Sequence, residues 1–345
     1  MDTHLITTTS PDRTPATLPE KSPQGSLEKH PANQPGPSEG EEKKAPSGVR
    51  AFFRKGSLTP YFFILPGLVL LIIWVYYPLI LTFWYSFNSG NLTKGVDKFV
   101  GLDNYVAVVN LPEFQQSIVN TGLYIVGLIP LTVFIPLGIA ILLSKIKGPM
   151  QTFYRSVLFT PVIMAPVVVS VIWLWILNPI QGVLNKVLNF LFGVDSINWM
   201  GDSNLAIWMV VLITTWKVFG FNLLLFLAAI VGVDREYMEA ARLDGATEWD
   251  IIRHITFPLI TPTFYFLVIY TILYAGQWVF GTVNVLTQGG PQNTTTSVFY
   301  ILYQFGFSYF NIGQASAAAV MIFIVLGLGT FIAVRYTDRK AHYES

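Results

Sequence analysis

The sequence predicts an all-α membrane protein with six spanning helices. Hydrophobic residues make up 52% of the 345 residues and charged residues only 12%, roughly half the charged fraction of a soluble domain. Six predominantly apolar stretches are each about 20 residues or longer, enough for a helix to cross a bilayer. Such runs must be helical, because lipid offers no hydrogen-bond partners to the edge of a strand. The chain is therefore expected to have membrane lipid as its main solvent.

The first 48 residues form a different kind of segment. They contain eight prolines and no Phe, Tyr or Trp, so they cannot bury enough apolar surface to offset the entropy of the chain. No apolar core follows a charged start, which excludes a signal peptide. Residues 1–48 are predicted to be a disordered cytoplasmic tail, and residues 49–345 the transmembrane domain.

The six predicted spans follow one another from residue 61 onwards. Pro130 and Pro136 in the second span, and Pro161 and Pro166 in the third, predict kinks whose freed carbonyls are absorbed by neighbouring helices or hydroxyls. The first span is too long for the apolar core of a signal peptide and is retained. The spans are placed at residues 61–84, 118–143, 157–177, 205–231, 259–283 and 312–335.

The distribution of basic residues predicts the orientation. With the N-terminus inside, twelve Lys and Arg residues near the spans are cytoplasmic and only Lys94, Lys98 and Lys186 are outside, as the positive-inside rule requires. Both termini and the segment 232–258 are then cytoplasmic. The cytoplasmic residues are Arg50, Arg54, Lys55, Lys145, Lys147, Arg155, Arg235, Arg242, Arg253, Arg335, Arg339 and Lys340.

Segment 232–258 is a charged, helix-compatible island between two spans. Good helix formers precede Gly245, which can take the positive φ that ends a helix, and residues 250–255 can restart one. Two short helices meeting at a glycine make a rigid projection. Some of its side chains are too apolar for bare solvent, which predicts a docked partner; they are Tyr237, Met238, Leu243, Trp249 and Ile252.

Residues 239–258 read EAARLDGATEWDIIRHITFP and resemble the "EAA" coupling loop of ATP-binding-cassette (ABC) importer permeases. Phe257 stands where the family usually has leucine before the proline. The resemblance implies a six-helix ABC importer permease bundle with cytoplasmic coupling helices, in which Glu239 pairs with an arginine of the ATPase. The residues expected to contact the ATPase are Glu239, Ala240, Ala241, Asp244, Gly245, Ala246 and Pro258.

A wider resemblance covers about residues 58–340 and points to permeases of carbohydrate uptake, the maltose and glycerol-3-phosphate group. It implies a heterodimer with a second homologous permease, two ATPase subunits and an extracytoplasmic solute-binding protein, in a bacterial or archaeal inner membrane. The chain contains no phosphate-binding loop, so ATP and Mg²⁺ are expected on the ATPase, with no cofactor here. The matches include Leu65-Pro66, Tyr77-Pro78, Phe99 to Tyr105, Asn178-Pro179, Asn198-Trp199 and Gly289-Gly290-Pro291.

A candidate substrate pathway is predicted on the fourth and fifth spans. Lys217 lies near the bilayer midplane, where a lone ammonium is costly, and no predicted span contains Asp or Glu. Its partner is therefore a backbone carbonyl, the second permease, or substrate and its waters. Trp216 and Trp278 are either packing or stacking residues, and Asn222 and Gln277 either bind helices together or contact ligand. Two helical faces, by spacing, hold Thr214, Lys217 and Phe221, and Thr271, Tyr274 and Trp278.

Two external segments have open roles. Residues 178–198 contain an amphipathic piece expected at the outer interface, and Gly289-Gly290-Pro291 with the threonines at 294–296 predicts a polar turn. Either segment contacts the binding protein or caps the bundle.

The residues that other function classes would need are missing from the predicted spans. All four histidines lie outside the spans, no paired carboxylates occur within them, and neither catalytic nor metal-binding residues are predicted. An ion-coupled secondary transporter would need intramembrane Asp, Glu or His. A receptor or scaffold leaves the loop unexplained, and a net charge of +1 gives no reason to expect nucleic acid. The predicted substrate is a neutral di- or oligosaccharide, with glycerol phosphate or another anionic polyol as the alternative.

Overall fold

The computed structural model describes residues 59–340, with side chains from 61 to 335. The tail predicted at residues 1–48 lies outside the described residues, as do Arg50, Arg54 and Lys55. The helices are α1 (Thr59–Leu71), α2 (Tyr77–Ser86), α3 (Asp103–Val109), α4 (Pro112–Ile129), α5 (Ile135–Ser144), α6 (Pro149–Ile163), α7 (Pro166–Ile176), α8 (Val183–Phe192), α9 (Ala206–Val231), α10 (Arg235–Leu243), α11 (Glu248–Ile251), α12 (Phe257–Thr282), α13 (Val298–Tyr303) and α14 (Ile312–Lys340).

Short π-helical turns extend several of these helices into longer rods. Five rods within the described part are long and apolar enough to cross a membrane, and α6 with α7 makes a sixth if the bent pair is one span. The rods are Tyr61–Ser86, Pro112–Ser144, Ala206–Val231, Glu248–Thr287 and Ile312–Arg335. The π-helical turns are Ile72–Tyr76, Pro130–Phe134, Ile252–Thr256, Val283–Thr287 and Gln304–Ser308.

The third span is broken and is not the single kinked helix that the sequence predicted. The axes of α6 and α7 differ by 98°, and the break lies at Met164 and Ala165, which are both extended with ψ near 140°. The residue before a proline avoids the helical region, because the proline ring crowds its backbone. Pro166 therefore ends the helix, whereas Pro161 lies inside α6 without interrupting it.

The second span absorbs its prolines differently. Pro130 begins a π-helical turn, Pro130–Phe134, and α5 continues from it, so the rod runs on to Ser144. A π-turn shifts the hydrogen-bond pattern by one residue and accommodates a proline without breaking the helix. The rod also starts earlier than predicted, at Pro112.

Helix α9 is the centre of the bundle. It packs against α5, α6 and α12, and Phe226 and Leu227 of α9 form one buried cluster with Leu137 of α5 and Leu267 of α12. Lipid is as apolar as these side chains, so close packing and interhelical hydrogen bonds, rather than exclusion of water, hold such helices together. The last helix, α14, packs against α2, where the rings of Phe83 and Phe323 meet edge to face at 6.1 Å.

Short elements lie between the spans. Strands β1 (Asn88–Asn91) and β2 (Gly95–Phe99) form an antiparallel hairpin. The amphipathic helix α8 exposes apolar side chains such as Phe190, 87% exposed. Its buried face is held by Asn185, whose amide donates to the carbonyl of Ile197 at 2.9 Å and whose carbonyl accepts from the Trp199 indole at 2.9 Å.

Candidate coupling loop and substrate pathway

The coupling loop, residues 232–258, folds as two short helices joined at Gly245. Helix α10 ends at Leu243, and Gly245 takes a φ of +84°, a conformation that favours glycine. An added Cβ would meet no atom within 4 Å. Glycine is therefore required here by the backbone angle, and not by a shortage of space. The Ala246 amide donates to the carbonyl of Ala241 at 3.0 Å and closes the end of the helix.

The second coupling helix, α11, begins with a reciprocal cap. The amide of Asp250 donates to the hydroxyl of Thr247 at 3.2 Å, and the amide of Thr247 donates to the Asp250 carboxylate at 3.1 Å. This capping box satisfies two amides that a helix start leaves without partners. Hydrogen bonds from the side chain and backbone of Thr247 hold the pKa of the Asp250 carboxyl below its ordinary value.

Glu248 joins three elements at the end of the bundle that carries the coupling loop. Its carboxylate lies 3.0 Å from the Arg242 guanidinium of α10 and 3.1 Å from the Lys145 ammonium, which follows the second span. Hydrogen bonds from Arg242 and Lys145 lower the pKa of the Glu248 carboxyl. Glu248 lies before the apolar part of the fifth span, which begins at Phe257. The coupling helix is therefore tied to the second span as well as to its own neighbours in sequence.

The predicted coupling residues lie together on this loop, and most of them face outwards. Glu239, Ala240, Asp244, Gly245 and Pro258 are exposed, whereas Ala241 and Ala246 are half-buried. Glu239 lines a cavity of about 420 Å³ between the loop and the adjacent ends of the second and fourth spans. Four basic side chains line the same cavity, namely Lys145, Lys147, Arg235 and Arg242.

Three apolar side chains of the loop project away from the bundle. Leu243 is 89% exposed, Trp249 66% and Tyr237 58%. The sequence also predicted exposure for Met238 and Ile252, but both are half-buried and line the cavity instead. The exposed side chains of the loop thus include the small Ala240, the acidic Glu239 and three large apolar groups.

The predicted pathway face on α9 and α12 is only partly open. Thr214 and Thr271 are buried, at 2% and 0% exposure. The Thr271 hydroxyl lies 3.5 Å from the hydroxyl of Thr132 in the second span. The Thr214 hydroxyl has no hydrogen-bond partner among the residues the structure describes. In this conformation both threonines lie at helix contacts, away from any open surface.

An aromatic ladder runs along α12. Phe266, Tyr270, Tyr274 and Trp278 recur every four residues, with ring centroids 5.8 Å, 4.6 Å and 6.2 Å apart in succession. Phe221 of α9 joins the ladder at Tyr270, at 5.7 Å. Tyr274 and Trp278 were predicted from the sequence, whereas Tyr270, the ring with most aromatic neighbours, was missed. The four-residue spacing of aromatic residues along the fifth span is the sequence pattern that could have identified Tyr270.

Lys217 has backbone partners in the third span. Its ammonium donates to the carbonyl of Met164 at 3.0 Å and to that of Val162 at 3.4 Å. The side chain is half-buried. Of the three kinds of partner left open by the sequence, the structure contains the backbone carbonyl.

The ambiguous polar and aromatic residues occupy different environments. Trp216 meets Trp173 of α7 edge to face at 5.9 Å, which is a packing contact. Asn222 is fully buried and donates to the Thr132 carbonyl at 2.6 Å. Gln277 is exposed beside the aromatic ladder.

The polar turn above the fifth span folds back onto the second span. The Asn120 amide donates to the carbonyls of Asn293 and Thr296 at 2.8 Å and 2.9 Å, and the hydroxyl of buried Tyr124 donates to the carbonyl of Thr295 at 2.7 Å. Thr295 and Thr296 are fully buried. These contacts show that the turn caps the bundle.

Comparison with known proteins shows the family. Residues 133–343 match the family described as "Binding-protein-dependent transport system inner membrane component". The chain is 32% identical over 293 residues to the sn-glycerol-3-phosphate transport system permease protein UgpA of Brucella abortus biovar 1 (strain 9-941), covering 83% of this chain and 97% of that protein. It is 30% identical over 299 residues to UgpA of Escherichia coli O157:H7, covering 86% and 100%.

A solved structure shares the fold. A chain of a bacterial ABC transporter involved in the import of the acidic polysaccharide alginate superimposes with a TM-score of 0.75 at 22% identity, covering 85% of this chain and 98% of that one. A second chain, from the alginate transporter in complex with a periplasmic protein bound to an alginate pentasaccharide, gives a TM-score of 0.73 at 21% identity. The family match, the 32% identical relative and the shared fold agree, and the chain belongs to the family of inner membrane components of binding-protein-dependent transport systems, the permeases of ABC importers.

Proposed function

We propose that this permease forms one half of the pore of an ATP-driven importer that takes up a neutral di- or oligosaccharide delivered by a solute-binding protein. The other half is a second, homologous permease, and two ATPase subunits bind on the cytoplasmic side. The aromatic ladder from Phe266 to Trp278 carries the substrate assignment. Aromatic faces with hydroxyl and amide neighbours suit the alternating apolar and polar surfaces of a sugar ring, and Gln277 and the tyrosine hydroxyls supply such neighbours.

The coupling loop supports the assignment of an ATPase partner. Leu243, Trp249 and Tyr237 are exposed at the loop surface, an arrangement that in a soluble environment marks a protein contact site. Glu239 offers a carboxylate at the same surface. Movement of the ATPase would be transmitted through α10 to the spans as rigid bodies, because Glu248 links the loop to the end of the second span. This arrangement requires the loop and both termini to be cytoplasmic.

Glycerol phosphate or another anionic polyol is the second candidate, and relatives at 30–32% identity that are named as sn-glycerol-3-phosphate permeases favour it. The charge inventory favours the neutral sugar. A phosphate carries about −1.5 to −2 charges at neutral pH, and Lys217 is the only charged residue of the predicted spans away from their ends. Its ammonium already donates to two carbonyls.

The assignment is tested on the reconstituted complex of both permeases, the ATPase and the binding protein. Calorimetry of the binding protein against a panel of neutral di- and oligosaccharides, alginate oligosaccharides and sn-glycerol 3-phosphate identifies the ligand, and each ligand is then tested for ATP-dependent uptake into proteoliposomes. Uptake of a neutral sugar alone supports the proposal. Uptake of sn-glycerol 3-phosphate alone would establish the second candidate, and uptake that continues without ATP would reject the whole mechanism.

A further inference from the structure

The break in the third span leaves backbone carbonyls without helical donors. In a continuous α-helix the amide of residue i donates to the carbonyl of residue i−4, and Pro166 has no N–H to give to Val162. Met164 is extended and no longer in the helix, so its carbonyl also loses the helical donor. Lys217 donates to both of these carbonyls, at 3.4 Å and 3.0 Å.

The second span shows the same relationship at another proline. Pro136 has no N–H to give to the carbonyl of Thr132, four residues earlier. Asn222, which lies on α9 five residues after Lys217, donates to that carbonyl at 2.6 Å. Two polar side chains of the central helix therefore each serve a carbonyl that a proline deprives of its donor in a neighbouring span.

Close approach of the backbones brings Lys217 within reach. Gly220, one turn after Lys217, lies against α6, and a Cβ on Gly220 would fall 2.3 Å from the carbonyl oxygen of Leu158. Glycine is required there by space, since no side-chain atom fits between the two helices. Because the two helices are this close, the side chain of Lys217 can reach the C-terminal end of α6, at Ile163, by extending along that helix.

A cation suits this place better than a neutral donor. The C-terminus of α6 carries the negative end of the helix dipole, and cations are favoured there. Hydrogen bonds from an ionised donor are also shorter and stronger than neutral ones. The ammonium has three N–H groups, of which two point to Val162 and Met164.

We propose that Lys217 is a positioning residue for transport, which holds the third span at its bend by satisfying the carbonyls of Val162 and Met164, and that it is not the counter-ion of an anionic substrate. The proposal rests on the permease function proposed above. It assigns Lys217 to the conformation of the pathway wall, whereas the ladder on α12 contacts the substrate.

Electron spin-label distances measure the bend directly. The chain contains no cysteine, so Phe153→Cys and Trp175→Cys introduce the only two labels, one on each arm of the third span. Both side chains are exposed, at 60% and 67%. A straight helix would separate the two Cα atoms by about 33 Å at 1.5 Å per residue. The 98° bend shortens that separation to about 22 Å for arms of the same length.

Four backgrounds are compared in the assembled complex in lipid nanodiscs: unchanged, Lys217→Met, Lys217→Arg and Lys217→Met with Pro166→Ala. Leu212→Ala, a change at an exposed residue of α9, is the matched control.

We expect a narrow distance distribution in the unchanged protein, the Arg variant and the control. Lys217→Met should broaden it, because two carbonyls lose their donor. Pro166→Ala restores an N–H for Val162, and the double variant should shift towards the longer, straighter distance. A Lys217→Met distribution identical to that of the unchanged protein would overturn the proposal.

Uptake separates positioning from charge pairing, with maltose and sn-glycerol 3-phosphate as probes. We expect Lys217→Met to lower kcat about tenfold for whichever probe is transported, the factor expected for a charge-assisted hydrogen bond, with KM changed less than about twofold. Lys217→Arg should restore kcat. A rise in KM confined to sn-glycerol 3-phosphate would show a counter-ion and refute the proposal. If the unchanged protein transports neither probe, uptake is measured with the ligand that calorimetry of the binding protein identifies, and the label distances decide the role of Lys217 independently of the substrate.

Discussion

The carboxylate of Glu248 and the ammonium of Lys145 lie 3.1 Å apart and connect the coupling loop to the C-terminal end of the second span. The same carboxylate contacts Arg242 of the coupling helix at 3.0 Å. About half of each side chain is exposed. An exposed ion pair contributes roughly 0–1 kcal/mol to stability, and this one links α10, the start of α11 and the residue that follows the second span.

Glu248→Gln is expected to loosen α10 without unfolding the protein. Thermal stability should change by less than about 1 kcal/mol, whereas ATP hydrolysis stimulated by the binding protein should fall several-fold. Glu236→Gln is the matched control, since Glu236 is an exposed carboxylate of α10, on the same loop, and forms no ion pair within the described part of the chain. Equal effects of the two changes would remove the ion pair from the coupling mechanism.

Gly245→Val and Glu239→Ala should both uncouple the ATPase while leaving the permease in the membrane. The valine is disfavoured because φ is +84°, a conformation costing a β-carbon residue about 1–2 kcal/mol. Gly245→Asn should retain activity, since asparagine tolerates this region. Co-purification of the ATPase and uptake are the measurements. Unchanged uptake and ATP hydrolysis in both uncoupling variants would reject the coupling assignment.

Trp278→Ala and Tyr274→Ala should raise the KM for uptake of the sugar. Loss of one aromatic contact of about 0.5–1.5 kcal/mol corresponds to a factor of roughly 2–12. Trp175→Ala on α7 is the control, since its side chain is exposed and belongs to no part of the ladder. Steady-state uptake over a range of sugar concentrations gives KM. A KM as high in the control as in the ladder variants would mean that the rings support the bundle and do not contact substrate.

Tyr124→Phe should destabilise the end of the bundle that the polar turn at residues 289–296 covers. The change leaves the buried carbonyl of Thr295 without the hydroxyl that donates to it at 2.7 Å, at a cost of about 1–3 kcal/mol. Tyr154→Phe, at an exposed tyrosine, should be neutral. Thermal unfolding in detergent measures both. A melting temperature that does not move for Tyr124→Phe would show that water replaces the hydroxyl.

Deleting residues 2–48 should leave assembly and transport within about a factor of two, because eight prolines and no aromatic residues in the first 48 provide little apolar surface for a packed core. Complex yield and uptake are compared with those of the full chain. Failure of the shortened chain to assemble would identify the tail as a docking element.

The helical, membrane-spanning character of the protein was predictable because hydropathy over about 20 residues depends on composition alone. The coupling loop was predictable for a related reason. A helix end at Gly245 and a restart after Thr247 depend on the local chemistry of glycine and of the Thr247 and Asp250 pair. The side chains that project from the loop were predicted less well, since Met238 and Ile252 turn inwards against the spans.

The pathway residues were harder to predict because spacing defines a helical face but not its neighbour. Thr214 and Thr271 share faces with Lys217 and Tyr274, yet packing buries both threonines. Tyr270 was missed although it lies at the same four-residue spacing as Tyr274 and Trp278. The mutual contacts of the ladder and of Phe221 arise from the approach of two helices far apart in sequence.

By itself, the sequence determined the helical, membrane-spanning character of the chain and the chemistry of the coupling loop, because each depends on residues close together along the chain. The orientation stays a prediction from the basic residues. Only the tertiary structure decided how each proline was accommodated. Pro130 begins a π-helical turn, whereas Pro166 follows a break in the helix. The carbonyls that lose their helical donors to Pro136 and Pro166 accept hydrogen bonds from Asn222 and Lys217, on a helix more than fifty residues away in sequence. Which side chain can donate a hydrogen bond to such a carbonyl depends on which helix lies beside it, and therefore on the packing of the whole bundle.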